Sequence, residues 1–132
     1  MNYPEDFDDL VLSNKAEFAR LEPHVQVAYC IHQFEAEVNN GGFDQFFTNS
    51  TGEYVRETIQ ALTDIGATKT CNLLRRAVAI GFPGGYPADA SVYESAFVGD
   101  GVEGLDPLDE EFYRYAEPLA DLVNAYLARG IW

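Results

Sequence analysis

Apolar residues recur every three or four positions along most of the chain, which is the spacing of one face of an α-helix. The first such segment begins near Pro4 and continues to Leu21. Glu22-Pro23 separates it from the next segment, because the residue before a proline avoids helical geometry, and Pro23 suits the first position of a second helix. That helix is expected to stop at Asn39-Asn40-Gly41-Gly42, since asparagine and glycine accept the left-handed backbone that ends helices.

The next helices are predicted from their start and stop signals. After a short turn at 43–47, Ser50 and Glu53 have the spacing of a capping box and open a third helix, which Gly66 ends. A fourth helix precedes the loop at 82–87, which is rich in glycine and proline. Ser91 and Glu94 repeat the capping-box spacing and predict one or two further helical turns, as far as position 97.

The C-terminal region starts with a helix signal, Asp106 as the cap and Pro107 as the first residue. Pro118 divides this region and leaves a last helix from Glu117 to Arg129. No segment alternates with the period of two that is typical of strands, and a chain of 132 residues suffices for one core. The sequence therefore predicts an all-α fold, a single compact domain over residues 1–132 with about five to six helices around one core.

The charge of the chain is strongly negative. Asp and Glu number 22 against 8 Lys and Arg, which gives a formal net charge of −14. This balance argues against direct binding to nucleic acid or to anionic lipid, because both depend on Lys and Arg.

The segment 67–88 alone carries bases and no acids, namely Lys69, Arg75 and Arg76. We interpret it as an ion-pairing face that tethers the acidic blocks on either side, the alternative being a gap that confines the negative field to other surfaces.

The sequence offers few groups for cofactor chemistry. Cys30 and Cys71 lie in apolar helical patterns without metal-ligand spacing, so we expect buried free thiols and neither a zinc site nor a disulfide framework. His32 and Glu35 share a helix face, but no second copy of the pair completes a metal site. Motifs for phosphate, dinucleotide or nucleophilic catalysis are absent from the sequence. We therefore expect no catalytic, cofactor or metal residues.

The N-terminus, MNYPEDFDDL, is acidic where a secretion leader needs a basic start and an apolar run. No stretch approaches the ~20 apolar residues of a membrane span. We expect a cytoplasmic protein with no membrane partner.

The least common segment is Asn39-Asn40-Gly41-Gly42-Phe43-Asp44-Gln45-Phe46-Phe47. It combines a helix stop, a two-glycine corner and three phenylalanines that we expect to be buried. Its amide side chains are available to bond the exposed backbone ends of the corner. We interpret the corner as architecture, with direct ligand binding as the alternative. The residues assigned to this structural corner are Asn39, Asn40, Gly41, Gly42, Phe43, Gln45 and Phe46.

This segment, with the preceding Glu37-Val38 and the following Asn49-Ser50-Thr51-Gly52, resembles the hallmark of small bacterial DNA-mimic-like proteins. That group is a domain-of-unknown-function family named after a member that imitates DNA. The resemblance covers about 29–83 well and 108–113 more loosely. It implies an all-α fold without established catalytic residues, is compatible with a homodimer, and makes DNA mimicry the expected function.

A DNA mimic must present carboxylates in rows that a basic groove accepts in place of phosphates. Glu53, Glu57 and Asp64 lie at i, i+4 and i+11 of the predicted third helix, opposite its apolar face. A four-residue step is ~6 Å along a helix, comparable with one charge per ~3.4 Å of each DNA strand. Further acidic clusters lie at 5–9 and 106–121. The candidate partner-binding carboxylates are Glu53, Glu57, Asp64, Asp106, Asp109, Glu110, Glu117 and Asp121.

Three functions remain open from the sequence. The leading one is a non-catalytic DNA mimic that binds the DNA-binding surface of a basic partner, such as a transcription factor or nucleoid protein. The alternative is an immunity or antitoxin protein that blocks a basic toxin or nuclease. The third is an enzyme or small-ligand binder that uses Asn39, Asn40 and Gln45 with His32 and Glu35.

Overall fold

The computed structural model describes residues 15–99 and 103–130. Within these ranges the chain forms helices and no strand, around one hydrophobic core, so the predicted all-α fold is confirmed. The α-helices are α1 (Lys15–Ala19), α2 (Pro23–Thr48), α3 (Val55–Asp64), α4 (Thr68–Gly81), α5 (Tyr93–Ala96), α6 (Asp106–Tyr113) and α7 (Leu119–Ala128). The 3-10 helices are Ser50–Tyr54, Ala90–Val92 and Glu103–Leu105. The first half of the predicted N-terminal helix and the acidic cluster at 5–9 lie outside the described residues.

The long helix α2 is broken in its second half, where the sequence predicts a stop. Gly41 (φ −153°, ψ 19°) and Gly42 (φ 75°, ψ −175°) leave helical geometry, and an arm at 43–48 follows the arm at 23–40. The prediction of a turn at 43–47 is therefore wrong. Phe43, Phe46 and Phe47 recur at the spacing of one helix face, and their burial stabilises the second arm.

Several helix boundaries follow the sequence signals. Pro23 begins α2, Gly66 follows the end of α3 with φ 78°, and α7 begins directly after Pro118. Helix α6 begins at Asp106, one residue before the predicted first position, so that Leu105 occupies the cap.

Both predicted capping boxes are wrong. The segment at Ser50 starts as a 3-10 helix whose cap residue, Asn49, makes no side-chain capping bond. Before α5, the cap is Asp89, whose carboxylate accepts a hydrogen bond from the Ser91 N–H at 3.0 Å. A spacing of three residues matches a capping box only when the backbone also starts an α-helix there, and at both places a 3-10 turn comes first.

The core is built around α2 and is rich in phenyl rings. Phe34, Phe43, Phe46, Phe47 and Phe82 are at most 1% exposed, so the predicted burial of the corner phenylalanines is confirmed. Edge-to-face pairs such as Phe34 with Phe46 (centroids 5.1 Å apart) and Phe47 with Phe82 (5.1 Å) link both arms of α2 to the end of α4. Cys30 and Cys71 are buried free thiols, as expected. None of the helices in the described ranges has the length and apolar character needed to cross a membrane.

Candidate acidic interface

The predicted row on α3 is shorter in the structure than in the sequence. Glu53 lies in the 3-10 helix Ser50–Tyr54, before α3 begins at Val55, so it does not continue the α-helical row. Glu57 and Asp64 are seven residues apart on α3 and share one face, because seven residues make almost two full turns. Only these two carboxylates of the predicted row therefore stand on one helix.

Glu57 and Asp64 line the same groove, which has a volume of about 190 Å³. Its apolar lining includes Phe18, Val27, Ala61 and Tyr126, from α1, α2, α3 and α7. The sequence did not indicate this groove, because its walls come from four helices that are distant along the chain.

The two carboxylates of this groove have different partners. The Lys15 Nζ lies 2.9 Å from Glu57 Oε2, and the two side chains are 34% and 30% exposed. The Lys15 ammonium also lies 5.2 Å from the centre of the Tyr54 ring, a cation–π distance. Asp64 Oδ1 accepts a hydrogen bond from Gln60 Nε2 at 2.9 Å.

A second group of carboxylates lies where α6 meets the break in α2. Burial raises the pKa of Asp109 above its usual value, and the negative charges of Asp106, Asp44 and Glu110 raise it further. The Phe43 N–H, which donates to Asp109 Oδ1 at 2.9 Å, acts in the opposite direction. Ionisation of Asp109 is therefore disfavoured first by its burial and then by the three negative charges around it.

Helix α6 also satisfies the backbone groups that the break in α2 leaves unpaired. Asp109 accepts from the N–H of Phe43, and the Tyr113 hydroxyl donates to the Val38 carbonyl at 2.9 Å. Because Asp109 and Tyr113 are four residues apart, they lie on one face of α6 and hold both sides of the break. Asp109 is thus a structural residue as well as a candidate contact, a role that the sequence did not reveal because 66 residues separate it from Phe43.

Two acids of the C-terminal cluster are engaged with α4. Glu117 accepts hydrogen bonds from the Lys69 N–H, the Thr70 N–H and the Thr70 hydroxyl, at 2.7 to 3.1 Å. It caps a helix whose own cap residue, Ala67, offers no side-chain acceptor. Arg76 pairs with Glu111 at 3.0 Å, which is one contact of the predicted kind, between the basic segment and the C-terminal acidic block. Asp106, Glu110 and Asp121 are exposed.

The amide side chains of the corner bond other side chains, whereas the sequence analysis expected them to bond backbone ends. Asn39 Nδ2 donates to the Tyr115 hydroxyl (2.7 Å), which in turn donates to Glu35 (2.9 Å). Asn40 donates to Gln45 Oε1 (3.1 Å), and Gln45 donates to Glu37 (2.8 Å).

Within residues 15–99 and 103–130, no three side chains of His, Cys, Asp or Glu come together in a group that could hold a metal ion.

Comparison with protein families gives a match to the family model described as DMP19-like protein, over residues 19–130. The match runs from the end of α1 through α7 and so includes both acidic surfaces. Neither a comparison with curated proteins nor one with solved structures gave a match.

Proposed function

We propose that this chain, which belongs to the DMP19-like protein family, is a non-catalytic DNA mimic whose carboxylates take the place of phosphates on the DNA-binding surface of a basic protein. The family match covers most of the chain, and the formal net charge of −14 has the sign that such a partner requires. The partner class is a basic DNA-binding protein such as a transcription factor or nucleoid protein.

The observation that carries the proposal is the crowding of carboxylates at the start of α6. The neighbouring charges that act on Asp109 are all negative, those of Asp106, Asp44 and Glu110. Asp106 and Glu110 are exposed and four residues apart, ~6 Å along the helix, the same order of magnitude as the one charge per ~3.4 Å of a DNA strand. A cationic surface that covers these groups removes their mutual repulsion, and this gain favours binding.

The hydrogen bonds of the corner support a non-catalytic function. Asn39, Asn40 and Gln45, three of the five residues of the enzyme hypothesis, bond Tyr115, one another and Glu37. These bonds join the two arms of α2 to each other and to the segment after α6. Their arrangement favours an architectural role for the corner over substrate binding.

Affinity capture tests the proposal directly. The purified protein is immobilised and exposed to a lysate of its source cell at ~0.1 M salt. Bound proteins are then eluted with duplex DNA. We expect DNA to release a basic DNA-binding protein whose affinity for the purified chain falls steeply with salt, as phosphate contacts do. A partner that remains bound in the presence of DNA and at high salt contradicts the proposal.

The same experiment distinguishes the immunity-type alternative. A captured toxin or nuclease whose catalytic activity this chain inhibits identifies that class of function, whereas a regulator displaced from its DNA site identifies mimicry. The measurements are the activity of the captured enzyme and the DNA occupancy of the captured regulator, each with and without the chain.

A further inference from the structure

The groove between Glu57 and Asp64 offers a partner more than negative charge. Its lining combines the two carboxylates with apolar side chains, among them Phe18, Val27 and Ala61, which we call the floor of the groove. A row of phosphates has no such floor. A ligand that fills this groove gains from burying apolar side chains in addition to pairing its charges.

The distance between the two carboxylates defines the ligand. Glu57 and Asp64 are seven residues apart on α3, about 10 Å along the axis at a rise of ~1.5 Å per residue. A partner helix with two cationic residues at the same separation matches both carboxylates, and an apolar residue between the cations faces the floor. The charges and the spacing therefore favour one class of occupant, a basic amphipathic segment.

A cation of the chain itself already pairs with one of the two carboxylates. The Lys15 ammonium lies 2.9 Å from Glu57 Oε2 and stands against the Tyr54 ring. The Arg129 guanidinium lies 5.4 Å from the centre of the ring of Tyr126, which lines the groove. Glu57 thus accepts a cation at the position where a partner would place one.

We propose that this groove binds a segment of a basic protein that carries two cationic side chains seven residues apart, with an apolar side chain between them. Lys15 competes with the cation of that segment that pairs with Glu57. The inference rests on the proposed function and deepens it, because the groove selects among basic partners by shape as well as by charge. Displacement of Lys15 costs little, since a half-exposed ion pair is weak.

The test uses two labelled alanine-based helical peptides of one composition. The first carries two arginines seven positions apart with leucine midway between them, and the second carries the same arginines side by side. Fluorescence anisotropy at low salt measures their affinities for the full chain. We expect the spaced peptide to bind about tenfold more tightly, because only this peptide pairs both carboxylates and fills the floor.

Three variants of the chain complete the test. Glu57→Gln with Asp64→Asn should remove the preference for the spaced peptide. The matched control, Glu94→Gln with Glu103→Gln, makes the same change of charge at exposed positions away from the groove and should retain the preference. Lys15→Gln keeps a side chain beside Tyr54 and should tighten binding about threefold, since it removes the competing cation. Thermal unfolding shows whether each variant is folded.

Equal affinities for the two peptides overturn the inference, as does an equal loss of binding in the groove variant and its control. An unchanged affinity in Lys15→Gln overturns the competition by Lys15. These failures are distinct from a failure of the proposed function. A DNA-released partner that binds the groove variant normally refutes the groove alone, and the absence of any DNA-sensitive partner refutes mimicry whatever the peptides show.

Discussion

The residue on which most of the structure around the break depends is Asp109. Its burial and the repulsion by three neighbouring carboxylates raise its pKa, and the hydrogen bond from the Phe43 N–H offsets only part of that rise. The folded protein therefore binds a proton at this site more readily than the unfolded chain does. By linkage, the stabilisation from protonated Asp109 is fully present at low pH and is lost as the pH rises from the ordinary value of 3.8 through the raised folded value.

This balance predicts opposite effects for two substitutions of Asp109. Asp109→Asn keeps an oxygen that can accept from Phe43 and removes the repelled charge, so we expect its free energy of unfolding at pH 7 to equal or exceed that of the wild type. Asp109→Ala leaves the N–H unpaired and should lower the free energy of unfolding by about 1–3 kcal/mol.

Urea unfolding between pH 4 and pH 7 measures both effects. The advantage of Asp109→Asn over the wild type should increase as the pH rises, because only the wild type acquires the unfavourable charge. An Asp109→Asn variant that is as unstable as Asp109→Ala would show that the charge itself holds the break.

At the scale of the element, the break in α2 depends on a glycine that no other residue replaces without strain. Gly42 has φ 75°, in the left-handed region, and a Cβ atom built there would lie 2.3 Å from Asp109 Oδ2. The position therefore combines a backbone requirement with a close approach of α6. The two reasons are independent, since the left-handed φ belongs to the backbone whereas the close approach arises because Asp109 bonds the Phe43 N–H.

We expect Gly42→Ala to lower the free energy of unfolding by about 2–4 kcal/mol, from the left-handed backbone and from the displacement of Asp109. Two control variants separate these causes. Gly66→Ala has a similar φ of 78° but an open surrounding, so it should show the backbone cost alone, whereas Gly84→Ala has neither feature and should change stability little. Equal effects of Gly42→Ala and Gly66→Ala would contradict the role of the close approach to Asp109.

At the scale of the whole molecule, some Asp and Glu side chains bond other parts of the fold and others are exposed. Glu117 caps α4 and Glu111 pairs with Arg76, so these two connect the C-terminal region to the basic helix. Asp106 and Glu110 remain exposed beside Asp109. Among the described residues, some carboxylates therefore stabilise the fold while others stay exposed to a partner.

This division predicts that position matters more than net charge for binding of the DNA-released partner. Asp106→Lys with Glu110→Lys should weaken binding more than Glu22→Lys with Glu94→Lys, although both pairs change the net charge equally. The variant Asp106→Lys with Glu110→Lys should also have a less steep dependence of the logarithm of the association constant on the logarithm of salt concentration. Each lost phosphate-like contact lowers the magnitude of that slope by about one unit or less. Affinities measured at several salt concentrations check this, and equal losses would indicate that net charge alone drives binding.

The sequence alone determined the all-α class, several helix boundaries and the burial of the corner phenylalanines. These features follow from local signals: apolar spacing, proline at helix starts and glycine at helix ends act over a few residues of chain. The break in α2 was predictable for the same reason, because Gly41-Gly42 is itself the signal.

Only the tertiary structure decided what each carboxylate does. Spacing along α3 placed Glu57 and Asp64 on one face, but the apolar groove between them needs walls from α1, α2 and α7. The tasks of Asp109 and Glu117 depend on partners 66 and 47 residues away, and no local pattern encodes such a contact. The charge of a residue is known from its type alone. Its burial and its partners are set only when the helices have packed.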